Sequence, residues 1–443
     1  MAASEENEQN SALRFEPPLW FAAASRSRSA DPPRPSPVID LTKTRGINSD
    51  QHDRDDAGHD LHDVLTNIDP GTEILQITGD TPTNEEWEAL GRHFTNVRAL
   101  EVDTGWDECW VDGKFPLAWP LKLLVIAGAC GQAVATPAII EGRIEHLVLM
   151  YTCSLRFEGP STRDLMKKAE VLYAIPRSCT PDKQGPTAET AETDADRADQ
   201  KIKVYSVDHE WRKWLDAKYD GKEIAFSSAC EADPPSRMRK LEILGNDAVE
   251  MLTWMAIAKF HLLVGLESLA IHSIDSYDLT GTPGIFFVEF LPVLNLKSLK
   301  LALGSVTLSR LLKAAGNPHG LHQLLPKSLE TLHFRGPVSM ASQLDQFSAA
   351  FADSAFLPSL KRISFVLDLP GPGTDDNEGA PLEQLTTAKI ACGKLLRAAA
   401  KRGVGIDEYD NPWAHLYPHF FKIDDRWAEV DDGLSVEETA PSL

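Results

Sequence analysis

The chain has 443 residues, 42% of them hydrophobic, and a formal net charge of −22. That length and apolar content support a sizeable core, while the acidic balance repels phosphate backbones and sets nucleic acid aside as a partner. No run of roughly 18 residues is both apolar and uncharged; the nearest, 248–264, is interrupted by Glu250, Lys259 and His261 and reads as buried helix, so no membrane contact is expected.

Residues 1–66 read as a disordered arm. They are rich in Ser, Pro, Asp and Arg, as in Ser25-Arg26-Ser27-Arg28-Ser29, and carry too little apolar surface to offset chain entropy. The opening MAASEENEQN has neither the basic region nor the apolar core of a secretory signal, so a cytoplasmic or nuclear location is expected. The cysteines agree. Cys109, Cys130, Cys153, Cys179, Cys230 and Cys392 are never closer than 21 residues, which gives no zinc-finger spacing and no disulfide framework.

Within the arm, Pro37-Val38-Ile39-Asp40-Leu41-Thr42 is a short apolar run with an internal acid, followed by Asp50, Asp53, Asp55 and Asp56. It resembles a SUMO-interacting motif. The resemblance implies that Val38, Ile39 and Leu41 add to the modifier's sheet edge, with Asp40 toward a basic rim. The alternative is a segment that docks on the chain's own fold. Further on, His52, Asp53, His59, Asp60, His62 and Asp63 are metal-binding residue types, but in a flexible segment they have no fixed geometry, and no metal or cofactor is expected.

From residue 67 to 403 an apolar-x-x-apolar-x-apolar unit recurs. Clear copies are Val97/Leu100/Val102, Leu121/Leu124/Ile126, Ile144/Leu147/Leu149, Met238/Leu241/Ile243, Leu266/Leu269/Ile271, Leu296/Leu299/Leu301, Leu329/Leu332/Phe334 and Leu360/Ile363/Phe365. Weaker copies are Leu75/Ile77, Ala169/Leu172/Ala174 and Ile202/Tyr205/Val207. The fourth positions fall at 75, 100, 124, 147, 172, 205, 241, 269, 299, 332 and 363, with steps of 23 to 36 residues. The last two apolar residues of each unit are two apart and share one face of a short strand.

Helical segments lie between the strands. Thr83-Asn84-Glu85-Glu86 is a capping box opening a helix with Trp87, Leu90 and Phe94 on one face. Leu308, Leu311, Leu312 and Ala315 keep helical spacing, as do Leu344, Phe347 and Phe351. A last helix runs from about Glu383 to Arg402, with Gly403 as its stop. Residues 176–200 read as a disordered insertion within one repeat, and 370–380 as a loop. The stretch 404–430, with Tyr409, Trp413, Tyr417, Phe420, Phe421 and Trp427, reads as an aromatic C-terminal cap, and 431–443 as an acidic tail.

The repeat resembles that of leucine-rich-repeat proteins, over roughly 71–368, in the looser ribonuclease-inhibitor-like and F-box-associated branch and its many fungal members. The resemblance implies an α/β solenoid, a right-handed superhelix with parallel strands on a concave face and helices behind. Two departures stand out. The family places Asn or Cys three residues after the last apolar position, and here only Asn246 does so; and the arm holds no F-box-like module.

In this family the remaining strand positions line the concave surface. In the middle units they are apolar, namely Leu123, Val125, Val148, Val171, Tyr173 and Val204, which predicts either an exposed binding patch or a face covered by the insertion or the arm. Further along they are basic, namely Arg239, Lys240, Lys297, Lys300, His333, Lys361 and Arg362, interleaved with Glu242, Glu267 and Glu330. That stripe could steer an acidic or phosphorylated peptide, or be an ordinary solvated face. No Walker loop, GxGxxG, HExxH or GxSxG occurs. The expected function is a non-catalytic protein-binding scaffold acting through its concave face. Substrate recognition for a ubiquitin ligase, with ligase components as partners, is the alternative, and an enzyme with a site invisible as a motif is the alternative of another class.

Overall fold

The computed structural model describes residues 37–45, 60–104, 113–128, 137–140, 143–152, 236–245, 248–249, 251–252, 255, 261–274, 286–287, 291–314, 320–371 and 380–413. The fold is α/β. Among the described residues eleven strands follow one another in chain order, and the registers are parallel. The chain divides into two compact units. Unit one holds Met1–Leu155, Met238–Glu242 and Asp410–Phe421; unit two holds Arg156–Arg237, Ile243–Tyr409 and Lys422–Leu443.

In unit one, β1 (Val38–Asp40), β2 (Ile74–Thr78), β3 (Ala99–Asp103), β4 (Leu123–Ala127) and β5 (His146–Met150) are followed by the start of β6 (Lys240–Leu244). The predicted repeat sets their alignment. Leu75, Leu100, Leu124 and Leu147 stand in one row of register partners, and Ile77, Val102, Ile126 and Leu149 in the next. All eight are buried. β2 and β4 each end in a glycine with positive φ, Gly79 at 92° and Gly128 at 77°. There the chain turns out of the strand through a conformation that a Cβ disfavours.

Among the described residues three helices accompany the first of these strands: α1 (Leu41–Thr44), α2 (Leu61–Thr66) and α3 (Asn84–His93). The capping box of α3 forms as predicted, Thr83 accepting from the Glu86 amide and Glu86 from the Thr83 amide. Its Trp87 and Leu90 face inward, and Trp87 meets Phe115 at 5.0 Å between centroids. A short helix α4 (Pro137–Ile140) precedes β5.

β1 and α1 lie within what composition marks as the disordered arm. The reason is local. Val38, Ile39 and Asp40 pair in register with Gln76, Ile77 and Thr78, which buries Ile39 and Leu41 completely. Asp40 then caps α1, accepting from Thr42 Oγ1 at 2.6 Å and from the amides of Thr42 and Lys43. Burial would raise the Asp40 pKa, but these bonds outweigh it and hold the carboxyl below its usual range. Arg45 locks the segment: it donates to Thr81 O at 2.8 Å, to both carboxylate oxygens of Glu86 at 2.9 and 2.5 Å, and to Asp80. Ile39→Asp should therefore release β1 and raise the rate of tryptic cleavage after Arg45. Site-resolved proteolysis checks this, and an unchanged rate would show that β1 is not held by Ile39.

In unit two, β7 (Ser268–Ser273), β8 (Ser298–Leu303), β9 (Thr331–Pro337), β10 (Arg362–Leu369) and β11 (Gly405–Ile406) continue the pattern. Leu269, Leu299, Leu332 and Ile363 share one row, and Ile271, Leu301, Phe334 and Phe365 the next. Phe334 stacks on Phe365 at 4.6 Å, and Phe347 meets Phe365 edge-on at 5.5 Å. Gly304 has no room for a side chain, because a Cβ there would stand 2.5 Å from Ile274 O. This unit also holds helices α5 (His261–Val264), α6 (Ser305–Ala314), α7 (Leu344–Ala350) and α8 (Leu382–Lys401). α8 packs on α7 and β10 through buried Leu385, Ala388, Cys392, Leu395 and Ala399, and Gly403, at φ 83°, follows its end. The repeat copies at Leu172 and Tyr205, the insertion 176–200 and the tail 431–443 lie outside the described residues.

Candidate functional site

Alternate residues of each strand point away from the apolar core rows. This outward face is where the sequence places its candidate binding residues. In unit one it carries Gln76, Glu101, Val125 and Val148 as successive register partners. For the apolar positions of this face the sequence left two readings, an exposed patch and a covered face. Leu123, Val125 and Val148 are as buried as the core residues Leu124 and Ile126, and every residue of β4 is buried. A strand of a parallel sheet covered on both faces is apolar throughout, and that accounts for its composition. Val171, Tyr173 and Val204 lie outside the described residues.

Polar groups on this face are buried too. Glu101 accepts from Gln76 Nε2 at 2.9 Å. Burial pushes its carboxyl up to about 7, Gln76 pulling it down and the Asp103 carboxylate adding to the rise. Glu242, 3% exposed, uses both carboxylate oxygens: one lies 2.7 Å from His146 Nε2, the other accepts from Trp413 Nε1 at 2.6 Å. Trp413 is fully buried. From the stretch that reads as an aromatic cap, it reaches the outward face through this bond. Tyr417, Phe420, Phe421 and Trp427 lie outside the described residues.

Unit two carries the basic stripe, and its charges have partners. Lys297 meets Glu267 at 3.0 Å and Lys361 meets Glu330 at 2.7 Å, both on exposed ground. Arg362 donates from Nε to Asp407 at 2.7 Å and also pairs with it through its terminal nitrogen, and His333 Nε2 is 3.8 Å from the same carboxylate. Lys300 is only 7% exposed and stands over the Tyr409 ring at 4.9 Å. In unit one, the amides of Arg239 and Lys240 both donate to Glu145 O, joining these residues to the ladder.

Beside Lys300, Arg335 forms a two-bond pair with Asp368, at 2.8 and 2.9 Å, with both side chains largely buried. His272 is fully enclosed next to them. Burial first, then the Arg335 and Lys300 charges, push its imidazole down to about 3, so the ring is neutral at physiological pH. The spacing-based reading of the stripe found the basic residues. It gave no sign that Asp407 and Tyr409, from far along the chain, lie on them.

The remaining candidates are placed as follows. Val38 is half exposed, whereas Ile39 and Leu41, the side chains a modifier would need, sit in the chain's own core. Asp60 caps α2 through the His62 amide at 3.1 Å. An open cleft of about 550 Å³ against α1, α2 and α3 is lined by Asp60, His62, Glu85, Arg92 and His93, among others. Among the described residues no group of three or more His, Cys, Asp or Glu is arranged to hold a metal ion. Burial pushes the Cys392 thiol well above its usual range, which makes it an unreactive core residue. Among the described residues no helix is long and apolar enough to cross a membrane. The chain matches no protein-family model, and it matches no curated protein.

Proposed function

We propose that this chain is a leucine-rich-repeat type solenoid acting as a non-catalytic protein-binding scaffold, with the outward strand face as its binding surface. One observation carries the reading. In unit two the segment 405–409 pairs with the edge of β10 through a backbone ladder and then meets that face through an ion pair and a cation over an aromatic ring. A surface that receives a polypeptide from its own chain has the chemistry to receive one from another. Backbone pairing supplies affinity and the side chains of successive strands supply selectivity.

Photo-crosslinking amino acids tested one at a time in native extract distinguish the faces. Ser268 and Ser298 are outward, at the start of β7 and β8; Ile390 is exposed on α8. Partners are expected to crosslink from Ser268 and Ser298 and to be absent or much reduced from Ile390. Crosslinks from Ile390 alone, or equally from all three, would refute use of the outward face. Recovery of cullin-type ligase components from Ser268 or Ser298 would turn the scaffold reading toward substrate recognition for a ubiquitin ligase.

A further inference from the structure

The contacts around Asp407 and Tyr409 define a recognition pattern. Gly405 and Ile406 pair with Arg362 and Ile363 as a parallel strand at the edge of β10, and the Gly405 amide donates to Lys361 O while the Asp407 amide donates to Ile363 O, each at 2.8 Å. Beyond that point the segment leaves the edge and meets outward side chains of three consecutive strands. Arg362 of β10 and His333 of β9 face the Asp407 carboxylate, and Lys300 of β8 faces the Tyr409 ring. Lys300 and His333 are register partners.

The spacing suits an extended peptide. Strands stand about 4.8 Å apart, so β10 to β8 is about 10 Å. Two residues of extended chain advance about 7 Å, and the lengths of the Arg, Lys and Tyr side chains cover the rest. An acidic residue followed two positions later by an aromatic therefore reaches both charges at once. A guanidinium takes a carboxylate through two nitrogens, and an ammonium favours the face of an aromatic ring. Lys300 is nearly excluded from water, which strengthens that contact; the Arg362 side chain is 44% exposed, so its ion pair is weaker and open to exchange.

We infer that the outward face of β8–β10 is a docking groove for partner peptides carrying acidic-x-aromatic, and that Asp407-Glu408-Tyr409 is a copy of that motif held in cis. This rests on the scaffold reading and names the partner chemistry. The groove's occupant in trans is an extended peptide that takes the place of residues 407–409, puts Asp or Glu on Arg362 and His333, and lays Tyr, Phe or Trp under Lys300. Because the cis copy is tethered, a partner must outcompete a high local concentration, and the groove binds weakly until the tether is displaced.

The test uses the full chain and a fluorescein-labelled peptide with the sequence of residues 404–411, followed by anisotropy. The intact chain should bind it weakly. Asp407→Ala with Tyr409→Ala removes the cis motif and leaves Arg362, His333 and Lys300 in place; at least tenfold tighter binding is expected. A peptide with its own Asp or Tyr changed to Ala should lose at least tenfold, and so should adding Lys300→Glu to the double variant. A folded double variant, judged by circular dichroism, that gains no affinity overturns the proposal, as does equal binding of the altered peptides. If the double variant does not fold, Asp407→Asn alone supplies the same comparison, with a smaller gain expected and no gain counting against the groove. Partners crosslinked from Ser298 yet not displaced by the peptide would overturn the groove while leaving the scaffold; peptide binding with no crosslinked partner would do the reverse.

Discussion

Replacing Asp368 by Ala should cost about 3–5 kcal/mol of stability. The carboxylate is 6% exposed and accepts two hydrogen bonds from Arg335. Without it the guanidinium stays buried beside Lys300 and neutral His272 with no opposing charge on Asp368. The cost is that of keeping a cation out of water after its two-bond carboxylate partner is removed, and the attraction of the pair is a poor guide to it. That distinction is measurable. Arg335→Met with Asp368→Leu removes both charges and keeps the volume, so it should recover most of the loss. Urea denaturation of the single and double variants gives both numbers. A single variant costing under about 1 kcal/mol would mean that the pair behaves as a solvated one.

The second large effect depends on pH. Glu101 has an ordinary carboxyl value of 4.5 in the unfolded chain and about 7 in the fold, because burial penalises the charged form. Below pH 4.5 the group is protonated in both states and contributes nothing to the difference. Between these values the unfolded chain releases the proton and the folded chain keeps it, so stability falls as pH rises. Above 7 the full penalty applies, on the order of 3 kcal/mol for a shift of this size. Glu101→Gln keeps a hydrogen-bonding partner for Gln76 and removes the titration. The variant should be more stable than the parent by about 1–3 kcal/mol at pH 8 and nearly equal to it at pH 4.5. Other carboxylates cancel when the two proteins are compared at each pH. An identical difference at both values would mean that Glu101 is ionised in the fold throughout.

The repeat was legible because it is a pattern of burial. Leu299 and Leu301, or Leu332 and Phe334, must face one way for the strand to have a core side, and apolar residues two apart state that directly. The same logic could not find β1 or β11. Strands of three and two residues exist through pairing with a neighbour, and their own sequence has no room for a period. In β1 the visible signal, Val38-Ile39-Asp40-Leu41, was present, but its composition matched a peptide that adds to another protein's sheet as well as one that adds to this chain's own. The outward face was half legible. Gln76, Glu101, Val125 and Val148 are register partners on one face, yet Val125 and Val148 carry no mark that distinguishes an open patch from a covered one. Glu242 shows the limit most plainly, since its two partners lie 96 and 171 residues away.

A parallel sheet leaves a row of unpaired amides and carbonyls along each outer strand, a template on which identical chains can polymerise. Unit one ends in β1, whose flank carries Asp40, Lys43 and the charge cluster around Arg45; unit two ends in the two residues of β11, flanked by Asp407. Each of these short strands covers a longer apolar one, β2 or the eight-residue β10, whose side chains repeat on every neighbour. The segments that finish the two units therefore stand between those longer strands and a second copy of the chain, and removing either is expected to raise light scattering in concentrated solution.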